Sequence, residues 1–175
     1  MEETLGVRFT DVSVPGHGRI TTRTCNGTIP GPTLRVRGGQ TLRLTHVNGL
    51  PPNPPRTGGH STPHHPAGTY WYHPHLHGAI AEQIVGGMAG VIVVEGDVDE
   101  VPEIRAAADL VVCVNELKVK DGEVPALTSG GWVIGVPSVF TVNGTANPTL
   151  RLRPGEVQRW RPAGTHYGPR GCPAR

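Results

Sequence analysis

Apolar and polar residues alternate along this chain in short runs divided by turn residues. Leu5, Val7 and Phe9 mark one strand, and Pro15-Gly16-His17-Gly18 closes it in a turn. Residues 33–36, 41–47 and 69–73 carry the same period of two and predict further strands. Gly86-Gly87-Met88-Ala89-Gly90 leads into Val91-Ile92-Val93-Val94. That unbroken apolar run predicts a strand buried on both faces or central in a sheet, over Gly90–Glu95. Only Ala106-Ala107-Ala108 offers a helical turn, too short to stand alone.

Composition sharpens this to an all-β expectation. Of 175 residues, 25 are Gly and 18 are Pro, about a quarter of the chain, which disfavours long helices. Charged residues are 17%, AVILMFWYC residues 36% and the formal net charge +2, so self-repulsion is weak and a packed core is affordable. Two stretches depart from strand texture. One runs from Leu50 to Gly68 and is dense in Pro and His; the other covers residues 162–175 and lacks apolar periodicity.

An internal repeat organises the chain. Asn26-Gly-Thr-Ile-Pro-Gly-Pro-Thr-Leu-Arg-Val-Arg37 returns as Asn143-Gly-Thr-Ala-Asn-Pro-Thr-Leu-Arg-Leu-Arg153. The offset is 117 residues at Asn26 and Asn143 but 116 at Pro32 and Pro148, so the second copy's turn is one residue shorter. Tandem copies of one β-unit account for that spacing, with domains expected over residues 1–100 and 101–175. The second is expected to be incomplete, leaving the apolar faces at 111–114 and 139–142 without partners.

Charge and cysteine exclude more than they assert. Arg35, Arg37, Arg43, Arg151, Arg153, Arg159 and Arg161 alternate with other residues. That pattern reads as the solvent face of half-buried strands rather than a nucleic-acid surface, since alternate residues of such a strand face water. Cys25, Cys113 and Cys172 form no CxxC pair. Cys25 and Cys113 are open to being either a bridge or two buried thiols. No window approaches 18 apolar residues, so no membrane span is expected. The opening Met-Glu-Glu-Thr-Leu has no basic and apolar leader pattern, and the chain as written reads as soluble and not visibly exported. Asn26-Gly27-Thr28 and Asn143-Gly144-Thr145 fit the glycosylation pattern, but Asn-Gly is first a turn signal.

Six of the nine histidines fall between His60 and His77. The sharpest unit is Tyr70-Trp71-Tyr72-His73-Pro74-His75-Leu76-His77-Gly78. Residues two apart on an extended segment share a face with Cα atoms about 6.6 Å apart. His73 and His75 therefore present two imidazoles to one metal or to two adjacent metals, and Pro74 stiffens the pair. No acidic residue lies within six places of His73, and neutral imidazole suits copper, zinc, nickel or iron. The competing reading is a surface His-rich loop. His17, His46 and His166 read as ordinary turn or strand residues. Adjacent His64 and His65 would face opposite ways, and His60 stays unplaced.

The segment Gly68-Thr-Tyr-Trp-Tyr-His-Pro-His-Leu-His-Gly78, with Gln83 and the glycine run into Gly90–Glu95, closely resembles the multicopper oxidases. The Asn26 segment resembles that family's N-terminal strand pair, and residues 139–156 the opening of its second domain. The resemblance implies cupredoxin domains, Greek-key β-sandwiches. It also implies one-electron oxidation of phenols, amines or metal ions at a type 1 copper, with dioxygen reduced to water at a type 2 and type 3 copper cluster. His73 and His75 match the second of four His-x-His motifs, whose histidines each bind a different type 3 copper. His77 matches a position that is not a ligand. The first motif has no counterpart between Asn48 and Gly68, where the chain looks shortened. The third and fourth motifs and the type 1 copper cysteine also have none. The expectation is a truncated, copper-binding cupredoxin chain, inactive alone, with copper ions and possibly another cupredoxin chain as partners and no nucleic acid or membrane. The alternatives are a non-enzymatic metal-binding or interaction module, or half of an oxidase completed by another chain.

Overall fold

A computed structural model describes residues 1–51, 65–76, 78–125 and 135–166. Short strands and frequent turns give the expected all-β architecture. Among the described residues, ten strands form three sheets. The first sheet has the order β2-β1-β4, from β1 (Glu2–Val14), β2 (Gly18–Cys25) and β4 (Arg43–Asn48). The second has the order β3-β6-β5, from β3 (Leu34–Arg37), β5 (Gly68–Tyr72) and β6 (Gly90–Glu95). The third is β10-β7-β8-β9, from β7 (Ala108–Lys118), β8 (Ser138–Val142), β9 (Thr145–Ala146) and β10 (Gln158–Thr165).

The predicted strand at Gly90–Glu95 is the centre of its sheet, with Val91 and Val93 fully buried. Among the described residues, helix is confined to α1 (Ile80–Val85), a 3-10 turn (Asp97–Glu100) and α2 (Pro102–Ala106). The expected helical turn at 106–108 is thus displaced. Pro102 opens α2, as proline suits a first helical turn, and β7 already begins at Ala108. Six-residue α1 lies below the length at which periodicity speaks. It exists because Ala81, Gln83, Ile84 and Val85 are buried, so packing rather than propensity holds it.

The sequence repeat is a repeat of geometry, down to register. In the first copy β1 runs antiparallel to β2 with Val7 opposite Cys25, and parallel to β4 with Glu2 opposite Arg43. In the second, β7 runs antiparallel to β8 with Val114 opposite Val142, and parallel to β10 with Asp109 opposite Arg159. Each copy is pinned by an asparagine clamp. Asn26 takes the Gly6 amide on Oδ1, gives Nδ2 to the Thr4 carbonyl at 2.9 Å and its own amide to the Gly6 carbonyl. Asn143 does the same to Cys113 and Val111, at 2.8 Å for both side-chain bonds. Both asparagines sit at positive φ, 54° and 49°, where Asn is tolerated because its short side chain bonds locally. A second device also recurs. Gln40 Oε1 accepts the Arg37 amide at 2.8 Å, and Glu156 Oε2 the Arg153 amide at 2.9 Å.

The core lies largely between the copies. Val14, Ile20 and Ile29 of the first pack with Leu117, Val119 and Ala146 of the second, and Val139 joins them. Val91 and Val93 pack against Cys113, with Val111 and Ala163 alongside. The expectation that 111–114 and 139–142 lack partners is therefore corrected for Val111, Cys113 and Val139, whose partners come from the first copy. Val114 and Phe140 do remain exposed.

The arginine alternation splits. On β3, Leu34 and Val36 are buried while Arg35 and Arg37 face solvent, as expected. On β10 the pattern inverts, with Arg161 buried at 4% exposure and Trp160 exposed at 50%. Arg161 Nε meets Asp109 at 2.7 and 2.9 Å, and its terminal nitrogen pairs with Asp99. Arg159 also reaches Asp99, and Arg35 reaches Asp109 at 3.0 Å. Burial opposes ionisation of Asp99, but the Gly96 amide and the Arg161 and Arg159 guanidiniums outweigh it and bring its pKa down to about 2. This clasp ties the 3-10 turn between the copies to β7 and β10.

Candidate metal centre

The candidate site begins where β5 ends. Tyr70, Trp71 and Tyr72 pair antiparallel with Ile92, Val91 and Gly90, so the buried strand β6 fixes the direction of the chain leaving Tyr72. Tyr72 turns inward, and its hydroxyl donates to the Pro32 carbonyl at 2.8 Å. A Cβ at Gly90 would lie 2.4 Å from the Tyr72 ring, so only glycine lets the tyrosine close over the strand. Trp71 points the other way and stacks on His73, ring centroids 4.3 Å apart and planes 25° apart. The expected strand over 69–73 therefore stops one residue short of His73.

His73 and His75 are brought side by side, with ring centroids 5.9 Å apart and planes inclined at 43°. His73 is half-buried and His75 exposed. His73 Nδ1 lies 2.9 Å from the Pro74 carbonyl oxygen. A carbonyl only accepts, so this contact selects the tautomer with the proton on Nδ1 and leaves the Nε2 lone pair for a Lewis acid. Such a second hydrogen bond is what commonly orients a ligating imidazole. Pro74 does more than stiffen the pair, because its carbonyl sets the tautomer. The sequence carried no signal of that, since any residue supplies a carbonyl.

The donors this segment brings together are two imidazoles. Among the described residues, no group of three or more His, Cys, Asp or Glu side chains is placed to hold a metal. His65 instead meets the Tyr70 ring at 4.9 Å. His17 sits in the β1–β2 turn, His46 on β4 and His166 just past β10, as ordinary turn and strand residues. His60, His64, His77 and Cys172 lie outside the described residues. Cys25 and Cys113 are free and buried, which resolves the alternative in favour of two thiols. Burial pushes both up to about 11, so both stay protonated near neutral pH.

Comparison with known proteins bears on this segment directly. The family described as multicopper oxidase matches residues 59–99, which include β5, both histidines, α1 and β6. Cell division protein FtsP of Salmonella typhimurium is 26% identical over 160 residues, covering 76% of this chain and 34% of that protein. The chain thus spans about a third of the length of the curated relatives it matches. Blue copper oxidase from Nitrosomonas europaea superposes with a TM-score of 0.70 at 22% identity, covering 94% of this chain and 61% of that one. The multi-copper oxidase from Pseudomonas thermotolerans gives 0.70 at 24% identity, covering 95% and 46%. Among the described residues, no helix is long and apolar enough to cross a membrane. Residues 59–99 thus match the multicopper oxidase family, within a cupredoxin fold shared with solved multicopper oxidases.

Proposed function

We propose that this chain is a copper-binding cupredoxin module in which His73, through Nε2, and His75 would hold copper. The observation that carries the reading is the pair of rings 5.9 Å apart, one with its Nδ1 against the Pro74 carbonyl, inside the segment matched by the multicopper oxidase family. Copper supplies one-electron redox chemistry when bound, and imidazole is a ligand suited to it. The chain's own contribution is to set two imidazoles side by side and stack one on Trp71. We read residues 1–100 as one cupredoxin domain and 101–175 as the opening of a second, on the strength of the register repeat. Oxidation of phenols, amines or metal ions coupled to dioxygen reduction needs more ligands than this pair supplies, so the isolated chain is inactive.

Copper(II) titration followed by electron paramagnetic resonance tests this. Copper binding at pH 7 should weaken at least tenfold in His73→Ala/His75→Ala, with no oxygen uptake on a phenol by either protein. Unchanged copper affinity in the double variant removes the assignment. Oxygen uptake by the isolated wild-type chain removes the claim of inactivity. A second reading, a non-enzymatic interaction module, is favoured by the likeness to a protein named for cell division. It predicts that the double variant keeps whatever association the wild-type chain makes.

A further inference from the structure

An imidazole that is to hold a metal needs two things settled, the plane of its ring and the edge that carries the free nitrogen. The side chain alone settles neither, because the outer torsion of histidine has broad, roughly two-fold minima. At His73 two different groups divide the task. The Pro74 carbonyl, 2.9 Å from Nδ1, settles the edge, since turning the ring over would replace that nitrogen by a carbon and forfeit the bond. One hydrogen bond tolerates a wide spread of angles, so it holds the plane only loosely. The plane is held by Trp71, whose ring lies 4.3 Å from that of His73 and within 25° of parallel. At that separation neither ring can turn edge-on without running into the other.

Trp71 is well placed to hold a neighbour still. Its backbone pairs with Val91, which is fully buried on the central strand of the second sheet. Tyr72, the one residue between the two rings, is tied down by its hydroxyl on the Pro32 carbonyl. Residues two apart on an extended path share a face, which brings the indole against the imidazole. Among the described residues Trp71 joins none of the three hydrophobic clusters, and it is 38% exposed. The ring it covers is that of half-buried His73.

We propose that Trp71 is a positioning residue for the metal centre: it fixes the plane of the His73 imidazole and, with the Pro74 carbonyl, aims Nε2 before a metal arrives. The inference rests on the copper reading of His73 and His75 and extends it to a side chain that is not itself a ligand. A ring ordered in advance loses less freedom on binding, and the difference appears as affinity.

The test compares Trp71→Leu, which removes the stack, with Trp71→Phe, which keeps a ring on the imidazole. Nuclear magnetic relaxation of the His73 ring C–H bonds in metal-free protein reads the plane directly. The order parameter should be about 0.85 in the wild-type chain and in Trp71→Phe, and should fall below about 0.6 in Trp71→Leu. Copper(II) affinity should follow, about three- to tenfold weaker in Trp71→Leu, the scale of ordering one side chain, and near wild type in Trp71→Phe. The urea midpoint should not move, because the indole lies outside the core clusters. Trp71→Thr, a residue at home on an exposed strand face, repeats the comparison should leucine lower that midpoint. Three results on the variants overturn the proposal. One is a stack-free chain whose order parameter equals that of the wild type. Another is a lowered order parameter with copper affinity unchanged, and the third is a Trp71→Phe ring as loose as that in Trp71→Leu. Failure of the copper reading shows separately, as a wild-type chain that binds copper no better than His73→Ala/His75→Ala. Trp71 then orders a ring that holds no metal, and the proposal falls with it.

Discussion

Leu34 and Leu150 occupy the same place in two copies of one motif, each followed by arginine, a branched apolar residue and arginine again. The first is buried under β6 and the second faces water. The same inequality runs along the neighbouring strand in the opposite sense. Thr45 on β4 is exposed, while its counterpart Arg161 on β10 is buried between Asp99 and Asp109. A local pattern therefore fixes backbone path and register, but the elements packed against it decide which face is interior. The strands repeat, and each copy has its own neighbours.

That comparison can be broken at each pair of equivalent positions. The largest effect is expected at Arg161. Arg161→Ala removes a buried guanidinium and its charge-assisted bonds to Asp99 and Asp109, leaving them Arg159 and Arg35 alone, and should cost about 3–5 kcal/mol, whereas Thr45→Ala should stay within about 0.5 kcal/mol. Urea unfolding monitored by tryptophan fluorescence measures both. A cost at Arg161 no greater than at Thr45 would mean the clasp is ornamental. Next comes Leu34→Ala, expected to cost about 2–5 kcal/mol by emptying core volume, against less than about 0.5 kcal/mol for Leu150→Ala in the isolated chain. Equal costs would show that 150–153 is covered in solution.

The clamps should behave alike rather than differ. Asn26→Ala and Asn143→Ala each remove a side chain that serves a donor and an acceptor, at about 1–3 kcal/mol apiece. A marked disparity would show that the repeat is one of sequence more than of energetics. Acid gives the smallest effect on the comparison and the most selective. The Asp99 carboxyl titrates at about 2, below the ordinary value of about 3.9. A depressed pKa stabilises the fold fully above the unfolded value, and that contribution is lost as pH falls through the folded one. The clasp should hold unchanged down to about pH 4 and fail toward pH 2, seen as faster amide exchange in β10 before β1. Loss of protection in β10 already at pH 5 would contradict this.

Much of the architecture was legible in the chain itself. The offset of 117 and then 116 residues announced the repeat and its shorter turn, and the apolar run at Val91-Ile92-Val93-Val94 announced the central strand. The paired histidines at 73 and 75 were legible because an extended segment fixes where alternate side chains go. What escaped had a common physical cause. Helix α1 is too short for periodicity and owes its existence to tertiary burial. The inversion on β10 leaves the alternation intact and exchanges the faces, a choice made by Asp99 and Asp109 from elsewhere in the chain. The Pro74 carbonyl acts through backbone, which no side-chain pattern encodes.

The asparagine clamps carry a chemical consequence. Asparagine followed by glycine is the dipeptide most prone to cyclise and lose ammonia, because the unhindered glycine amide attacks the side-chain carbonyl. In Asn26-Gly27 and Asn143-Gly144 that carbonyl group is held by a neighbouring strand on both its oxygen and its nitrogen. The folded chain thus shelters two of its three Asn-Gly bonds, and an unfolded one exposes them. The extent of deamidation at these sites, read by mass spectrometry, becomes a clock for the time each molecule has spent unfolded.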